Sequence, residues 1–261
     1  MAERPLLLLT NDDGYQAEGL RALRAALEAI GEVIVVAPET EQSATSHSLS
    51  LHRPLRLRRV EPGLFALDGT PADCVYVALN GRSGALPRRP DLVVSGLNHG
   101  VNLGYDVFYS GTVGAAREAA LRGVRALATS ADTRASRPAA AALAADVARA
   151  LLAQPRQQVT PLLNLNVPPG EGPWPLRTTV LGSRVYDDEV TVAFDPRGRE
   201  YLWIGGGGVT HPEALGADTE AYDAGEASLT PLVLDLTAFG QTDACRSLVA
   251  SIAARPLGPG R

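Results

Sequence analysis

Up to residue 168 the chain alternates short apolar runs with stretches of helical periodicity, an order that few architectures accommodate. Residues 33–37 and 92–94 are uninterrupted apolar runs, as expected of strands covered on both faces of a parallel sheet, and 5–10, 124–130 and 161–167 read as further strands. Between them, Leu20, Leu23, Leu27 and Ile30 recur at helical spacing. Residues 71–80 open on Pro71, which suits a first helical position, and 138–152 are Ala-rich. Residues 51–70 alternate about Glu61-Pro62-Gly63, the pattern of an edge hairpin. This order predicts an α/β fold, a doubly wound and mostly parallel sheet over residues 1–168.

Residues 169–261 read differently. They are rich in Pro, Gly and turn residues, with β-like runs at 178–181, 189–194 and 201–204, a four-glycine loop at 205–208, a returning strand at 228–236 and a terminal helix at 242–253. We expect an extended β appendage with little core of its own, which buries its apolar face in a homo-oligomer. The net charge is −5 with no basic face, so nucleic acid is not the expected partner. All 24 basic residues are Arg. Cys74 and Cys245 are too few for a disulfide framework, and each is expected as a small buried hydrophobe. The opening MAERPLLLLTNDDG holds too short an apolar run for a signal peptide or membrane span, so a cytoplasmic protein without a membrane partner is expected.

Ligands of such sheets bind outside the carboxyl ends of the strands. The loops leaving those ends carry Asn11, Asp12 and Asp13, then Ser43 to Ser48 with His47, then Asn98, His99 and Asn102. Ser110-Gly111-Thr112 opens the helix expected over 112–122, and a helix start of this kind favours anions through its amides and dipole. Adjacent carboxylates at a strand end repel each other unless a cation lies beside them, and oxygen ligands suit Mg²⁺ or Mn²⁺. A metal beside an anion pocket points to phosphate ester hydrolysis, in which the ion neutralises phosphate and activates water. Asp12 and Asp13 serve equally as helix caps if no ion binds, and His47 and His99 as hydrogen-bonding partners. P-loop, dinucleotide and nucleophile-elbow signatures are lacking. A metal-using glycosyltransferase fits less well, because its carboxylates stand as Asp-x-Asp.

NDDG at 11–14, VVAPE followed by Ser43, GTPADCV at 69–75, SGLNHGVNLG at 95–104 and YSGTVGAA at 109–116 together resemble the SurE family, as do NLNVP at 164–168 and SLTPL at 228–232. The resemblance implies a Rossmann-like core and a metal-dependent acid phosphatase acting as a 5'-nucleotidase on nucleoside monophosphates. Nucleoside 3'-monophosphates and short polyphosphate are further implied substrates. It also implies one Mg²⁺ or Mn²⁺ per subunit, and a dimer or tetramer with exchanged C-terminal elements. Its metal ligands fall on Asp12, Asp13, Ser43 and Asn98, the first two and the last also catalytic. Its substrate contacts fall on Asn11, Asn102, Ser110, Gly111 and Thr112. The Ser43 loop departs from the pattern, with Gln42 and Ala44 where a basic residue and a glycine are frequent. The competing expectation is a stress-response protein that binds nucleotides at the same pocket without hydrolysing them.

Overall fold

The computed structural model describes residues 4–155, 162–187, 190–204 and 208–253. The elements are β1 (Leu6–Thr10), α1 (Glu18–Leu27), β2 (Glu32–Pro38), β3 (Leu57–Glu61), β4 (Leu64–Leu67), α2 (Pro71–Leu79), β5 (Leu92–His99), α3 (Gly111–Leu121), β6 (Ala126–Ala131), α4 (Arg137–Ala153) and β7 (Leu162–Val167). After them come β8 (Leu176–Thr178), β9 (Val185–Tyr186), β10 (Val190–Phe194), β11 (Glu200–Ile204), β12 (Val209–Thr210), α5 (Asp218–Asp223), β13 (Ala227–Leu232) and α6 (Thr242–Ala253). A nine-stranded sheet runs β3-β4-β2-β1-β5-β6-β7-β13-β8. Strands β4 to β7 along this order are parallel, while β3 and β13 run antiparallel to their neighbours β4 and β7.

Side chains of β1 alternate between two cores, as the two-residue period of a strand requires. Leu7 and Leu9 pack with Leu20, Leu23 and Leu27 of α1 and with the alanines of α4. Leu8 faces the other way, toward Cys74 and Val75 of α2 and the small residues of α3. Helices on both faces make the sheet doubly wound. The chain passes from β1 to β2 on one side and later crosses to β5 on the other, so the winding reverses between β1 and β5. The loops leaving those two strands diverge there and open a crevice.

The C-terminal strand pairs antiparallel with β7 and ends at Leu232, four residues short of the expected boundary. Among the described residues, β10–β11 and β9–β12 form two small sheets outside the main one. Pro161, Glu189 and Gly205 to Gly207, all expected in appendage or core elements, lie outside the described residues. Cys74 is buried as expected, but Cys245 is exposed. The cause is that α6 packs in this chain mainly on the turn Phe239–Gln241, leaving Leu248, Val249 and Ile252 on the surface beside Cys245. Helix α5 was not visible in the sequence; its acidic, six-residue span has no apolar period.

Candidate active site

The crevice between β1 and β5 holds a cavity of about 270 Å³ lined by Asp12, Ser43, Ala44, Asn98, His99, Asn102, Asp106, Tyr109, Ser110 and Tyr186. A larger cleft, about 810 Å³, lies behind α2, but its lining of Tyr76, Val77, Leu79, Asn80, Arg82 and Ser83 offers no carboxylate or histidine.

Asp12, two residues beyond the end of β1, is almost fully buried and meets the start of α3. The Thr112 amide donates to its Oδ2 at 3.0 Å, and the Thr112 hydroxyl donates to Oδ1. Burial pushes the Asp12 carboxyl up to about 6, with the neighbouring Asp13 adding to the rise and the Thr112 bonds opposing it. Burial likewise raises Asp13, whose Oδ2 accepts from the His99 amide at 3.3 Å.

The start of α3 is less open than its sequence promised. Ser110 is the N-cap, its hydroxyl accepting from the Val113 amide at 3.0 Å. The Ser110 amide donates to the Asp106 carbonyl, and the Thr112 amide is engaged by Asp12. Gly111 is left as the residue of this trio whose amide has no hydrogen-bond partner among the described residues. The protein's own Asp12 carboxylate thus occupies part of the donor set at this helix start.

Asn98 donates through Nδ2 to the Gly100 carbonyl at 2.9 Å, which fixes the amide plane and leaves Oδ1 as an acceptor. Gly96 allows the close fit beneath it: φ is +138°, and a Cβ there would overlap Thr129 of β6. Asn102 sits in a buried cradle. Its amide N–H donates to Asn166 Oδ1 at 2.7 Å, its carbonyl accepts from Asn164 Nδ2 and Asn166 Nδ2 at 2.9 and 3.1 Å, and its own Nδ2 donates to Ser130 Oγ at 2.8 Å. The two asparagines of the NLNVP segment thus fix a third that lines the cavity.

The Ser43 loop is clamped onto the loop after β1 and the turn that leads into α3. Gln42 N–H donates to the Asp12 carbonyl, Ser46 N–H to the Tyr109 carbonyl and Ser46 Oγ to the Phe108 carbonyl at 2.6 Å. Gly114 is required here, since a Cβ on it would overlap the Ser46 carbonyl. Ser43 Oγ donates to Glu41 Oε1 at 2.8 Å.

Asn11, Asp13, Gly111 and Thr112 adjoin lining residues of the cavity without being part of the lining. Asn11 is fully buried and shapes the loop, donating through Nδ2 to the Gly14 carbonyl at 2.9 Å. Sequence reasoning missed Asp106, Tyr109 and Tyr186. Asp106 and Tyr109 flank the SGT helix start and were within reach of it, whereas Tyr186 arrives from the appendage, 80 residues beyond Asp106, without a local signal.

The cavity is acidic. Arg184 is paired with Asp106, Arg137 with Glu18, and the chain has no Lys to neutralise an incoming phosphate. Among the described residues no three His, Cys, Asp or Glu side chains are grouped to hold an ion. A cation here would therefore rely on two carboxylates, hydroxyl and amide oxygens and water, a donor set that fits a hard divalent ion.

A family model described as "Survival protein SurE" matches residues 7–188. The chain is 61% identical over 238 residues to a protein named 5'-nucleotidase SurE from Sorangium cellulosum (strain So ce56), covering 90% of this chain and 92% of that one. It is 47% identical over 246 residues to one of the same name from Myxococcus xanthus (strain DK1622), with 92% of each covered. The crystal structure of the SurE protein from Aquifex aeolicus superposes with a TM-score of 0.80 at 35% identity, over 94% of this chain and 100% of that one. A match spanning most of the sheet, with relatives aligned almost end to end, leaves one conclusion: the chain belongs to the SurE family.

Proposed function

We propose that this protein is a metal-dependent phosphomonoesterase that hydrolyses nucleoside 5'-monophosphates to nucleoside and phosphate. Its relatives are named 5'-nucleotidases, and the observation that carries the reading here is the acidic crevice at the β1–β5 reversal. Such a cavity repels a phosphate dianion until a cation is bound. Asp12, Asp13, Ser43 and Asn98 are the residues assigned to hold one Mg²⁺ or Mn²⁺ per subunit. When bound, that ion neutralises phosphate charge and lowers the pKa of a coordinated water.

The chain's own groups supply the rest. The Gly111 amide and the Ser110 side chain meet phosphate oxygens at the positive end of α3. Asn102, immobilised by Asn164 and Asn166, orients the same group. Water adds to phosphorus, the bond to the 5' oxygen breaks, and the departing oxygen takes a proton. His47 is engaged by Glu118, and we assign delivery of that proton to His99, the histidine in the cavity lining.

The same reading includes a homo-oligomer, dimer or tetramer, because Val190, Val192, Phe194, Leu202 and Ile204 on one face of the β10–β11 hairpin present an apolar surface. No helix of the described residues is long and apolar enough to cross a membrane, in keeping with a cytoplasmic enzyme. Nucleoside 3'-monophosphates and short polyphosphate extend the proposed substrates.

Phosphate release from nucleoside monophosphates, followed with EDTA and after restoring Mg²⁺ or Mn²⁺, tests the proposal. Release that disappears with EDTA and returns with the ion is expected. Tight nucleotide binding without release under any ion would replace the enzyme by a sensor.

A further inference from the structure

We propose that Tyr186, carried into the cavity mouth by the appendage, is the stacking platform for the nucleobase, with Tyr109 as the second wall. This rests on the phosphomonoesterase reading and says which half of the substrate confers preference.

The cavity has a polar floor and an aromatic rim. Buried Asp12, Asn102 and Ser110 form the one, while Tyr109 and Tyr186 line the other, 69% and 42% exposed. A nucleoside monophosphate entering phosphate-first presents its base at that rim. Two tyrosines sharing the rim of one polar cavity offer the flat apolar surface that a nucleobase would cover.

Tyr186 is held in a way that suits a platform. Its hydroxyl donates to both Asp106 oxygens, at 2.7 and 2.8 Å, and Arg184 pairs with the same carboxylate. The Arg184 guanidinium lies over one face of the ring, 5.3 Å from its centroid, leaving the opposite face for a ligand. Burial, with Asp106 second, pushes the phenol up to about 12, so the ring stays neutral across physiological pH. Buried Asp218 ties this segment to the active-site loop, accepting from the Gly104 amide at 2.9 Å and the Gly182 amide at 2.8 Å. A ring fixed before binding loses little conformational freedom on stacking. Because its hydroxyl is occupied by Asp106, Tyr186 offers a face and no donor to read base edges, so it demands a base without selecting among bases.

The test compares adenosine 5'-monophosphate with ribose 5-phosphate, which lacks the base, on wild type, Tyr186→Ala, Tyr186→Phe and Tyr109→Ala. Turnover and equilibrium binding are both measured. Stacking on an aromatic side chain predicts that the wild type favours the nucleotide and that Tyr186→Ala lowers this preference by about tenfold or more. Tyr186→Phe should keep most of it, which separates the ring from its hydroxyl, and Tyr109→Ala should fall between. A nucleotide preference unchanged in Tyr186→Ala, in turnover or in binding, overturns the proposal. If no protein releases phosphate with any ion, the hydrolytic reading fails, and the binding ratios alone decide the platform.

Discussion

His47 Nε2 lies 2.8 Å from Glu118 Oε2, joining the Ser43 loop to the middle of α3. The pair is largely shielded, and Glu118 is held from its other side by Arg122, whose Nε is 2.7 Å from Oε1. Two residues just before the latch, Ala44 and Ser46, adopt left-handed backbone with φ of 58° and 54°. Such conformations cost roughly 1–2 kcal/mol each for residues with a Cβ, so the loop needs anchors to stay in place. His47→Ala removes one anchor and leaves a buried acceptor with a single partner. We expect about 1–3 kcal/mol lower stability in urea and at least a roughly tenfold fall in kcat/KM as Ser43 loses its position. Destabilisation with unchanged turnover would show that the latch does not place Ser43.

Ala44 tests the strain from the opposite direction. At φ 58° its Cβ crowds the backbone, a penalty that a glycine at this point of the loop would avoid. Ala44→Gly should therefore be neutral or stabilising by up to about 1 kcal/mol, since the relief is partly offset by greater freedom of the unfolded chain. A loss above about 1 kcal/mol in the urea midpoint analysis would mean that the Ala44 methyl makes contacts outweighing its strain.

The sheet was legible because Leu6 to Leu9 and Val93 to Val94 are apolar without interruption, and only strands covered on both faces tolerate that. The site was legible because strand-end chemistry follows from topology: once β1 and β5 are adjacent, Asp12 and Asn98 share a crevice. What stayed hidden depended on side chains meeting at long range. Nothing in the sequence directs the Thr112 amide to Asp12, 100 residues away, nor Tyr186 to Asp106. Cys245 was misread for a related reason: apolar neighbours in α6 signal burial, but its partner surface is not supplied by this chain's own core.

Asn166 makes two of the four hydrogen bonds that hold Asn102 and is itself buried. Asn166→Ala leaves the Asn102 amide N–H without an acceptor in the interior, a loss of about 2–4 kcal/mol when desolvation and the small cavity are combined. Asn166→Asp keeps an acceptor for that N–H but forfeits the donor to the Asn102 carbonyl. Turnover in both variants should fall mainly through kcat, measured below their unfolding temperatures. Wild-type stability in Asn166→Ala would refute the cradle.

Asp132 provides a pH test at a residue that does not line the cavity. Burial alone raises its carboxyl, but hydrogen bonds from Arg134 and Tyr222 overcome this and lower it to about 2. A carboxyl depressed in the folded state adds stability that is complete above its unfolded pKa, near 3.9, and is lost as pH falls through 2. With Arg134 largely exposed, solvent screening reduces the contribution to about 1–2 kcal/mol. The stability gap between wild type and Asp132→Asn should be full at pH 6 and shrink between pH 4 and 2. A gap independent of pH over that range would mean that the Asp132 charge is not what the two partners stabilise.

Metal binding can be read without any substrate. An ion that binds the folded chain alone raises stability by RT ln(1 + [L]/Kd), about 2.7 kcal/mol at a hundredfold excess over Kd. Wild-type protein stripped with EDTA should therefore show a higher Tm on adding Mn²⁺ or Mg²⁺, and the shift should grow with the logarithm of ion concentration. Asp13→Asn removes one proposed ligand while leaving the Thr112 bonds to Asp12 intact, so the fold at the start of α3 is preserved. Its Tm without ion should stay close to that of the wild type or rise, because repulsion between the adjacent carboxylates is relieved. Its response to ion should shrink by most of the wild-type shift. An undiminished shift in Asp13→Asn would place the ion elsewhere, and no shift in the wild type at millimolar ion would remove the metal from the proposed mechanism.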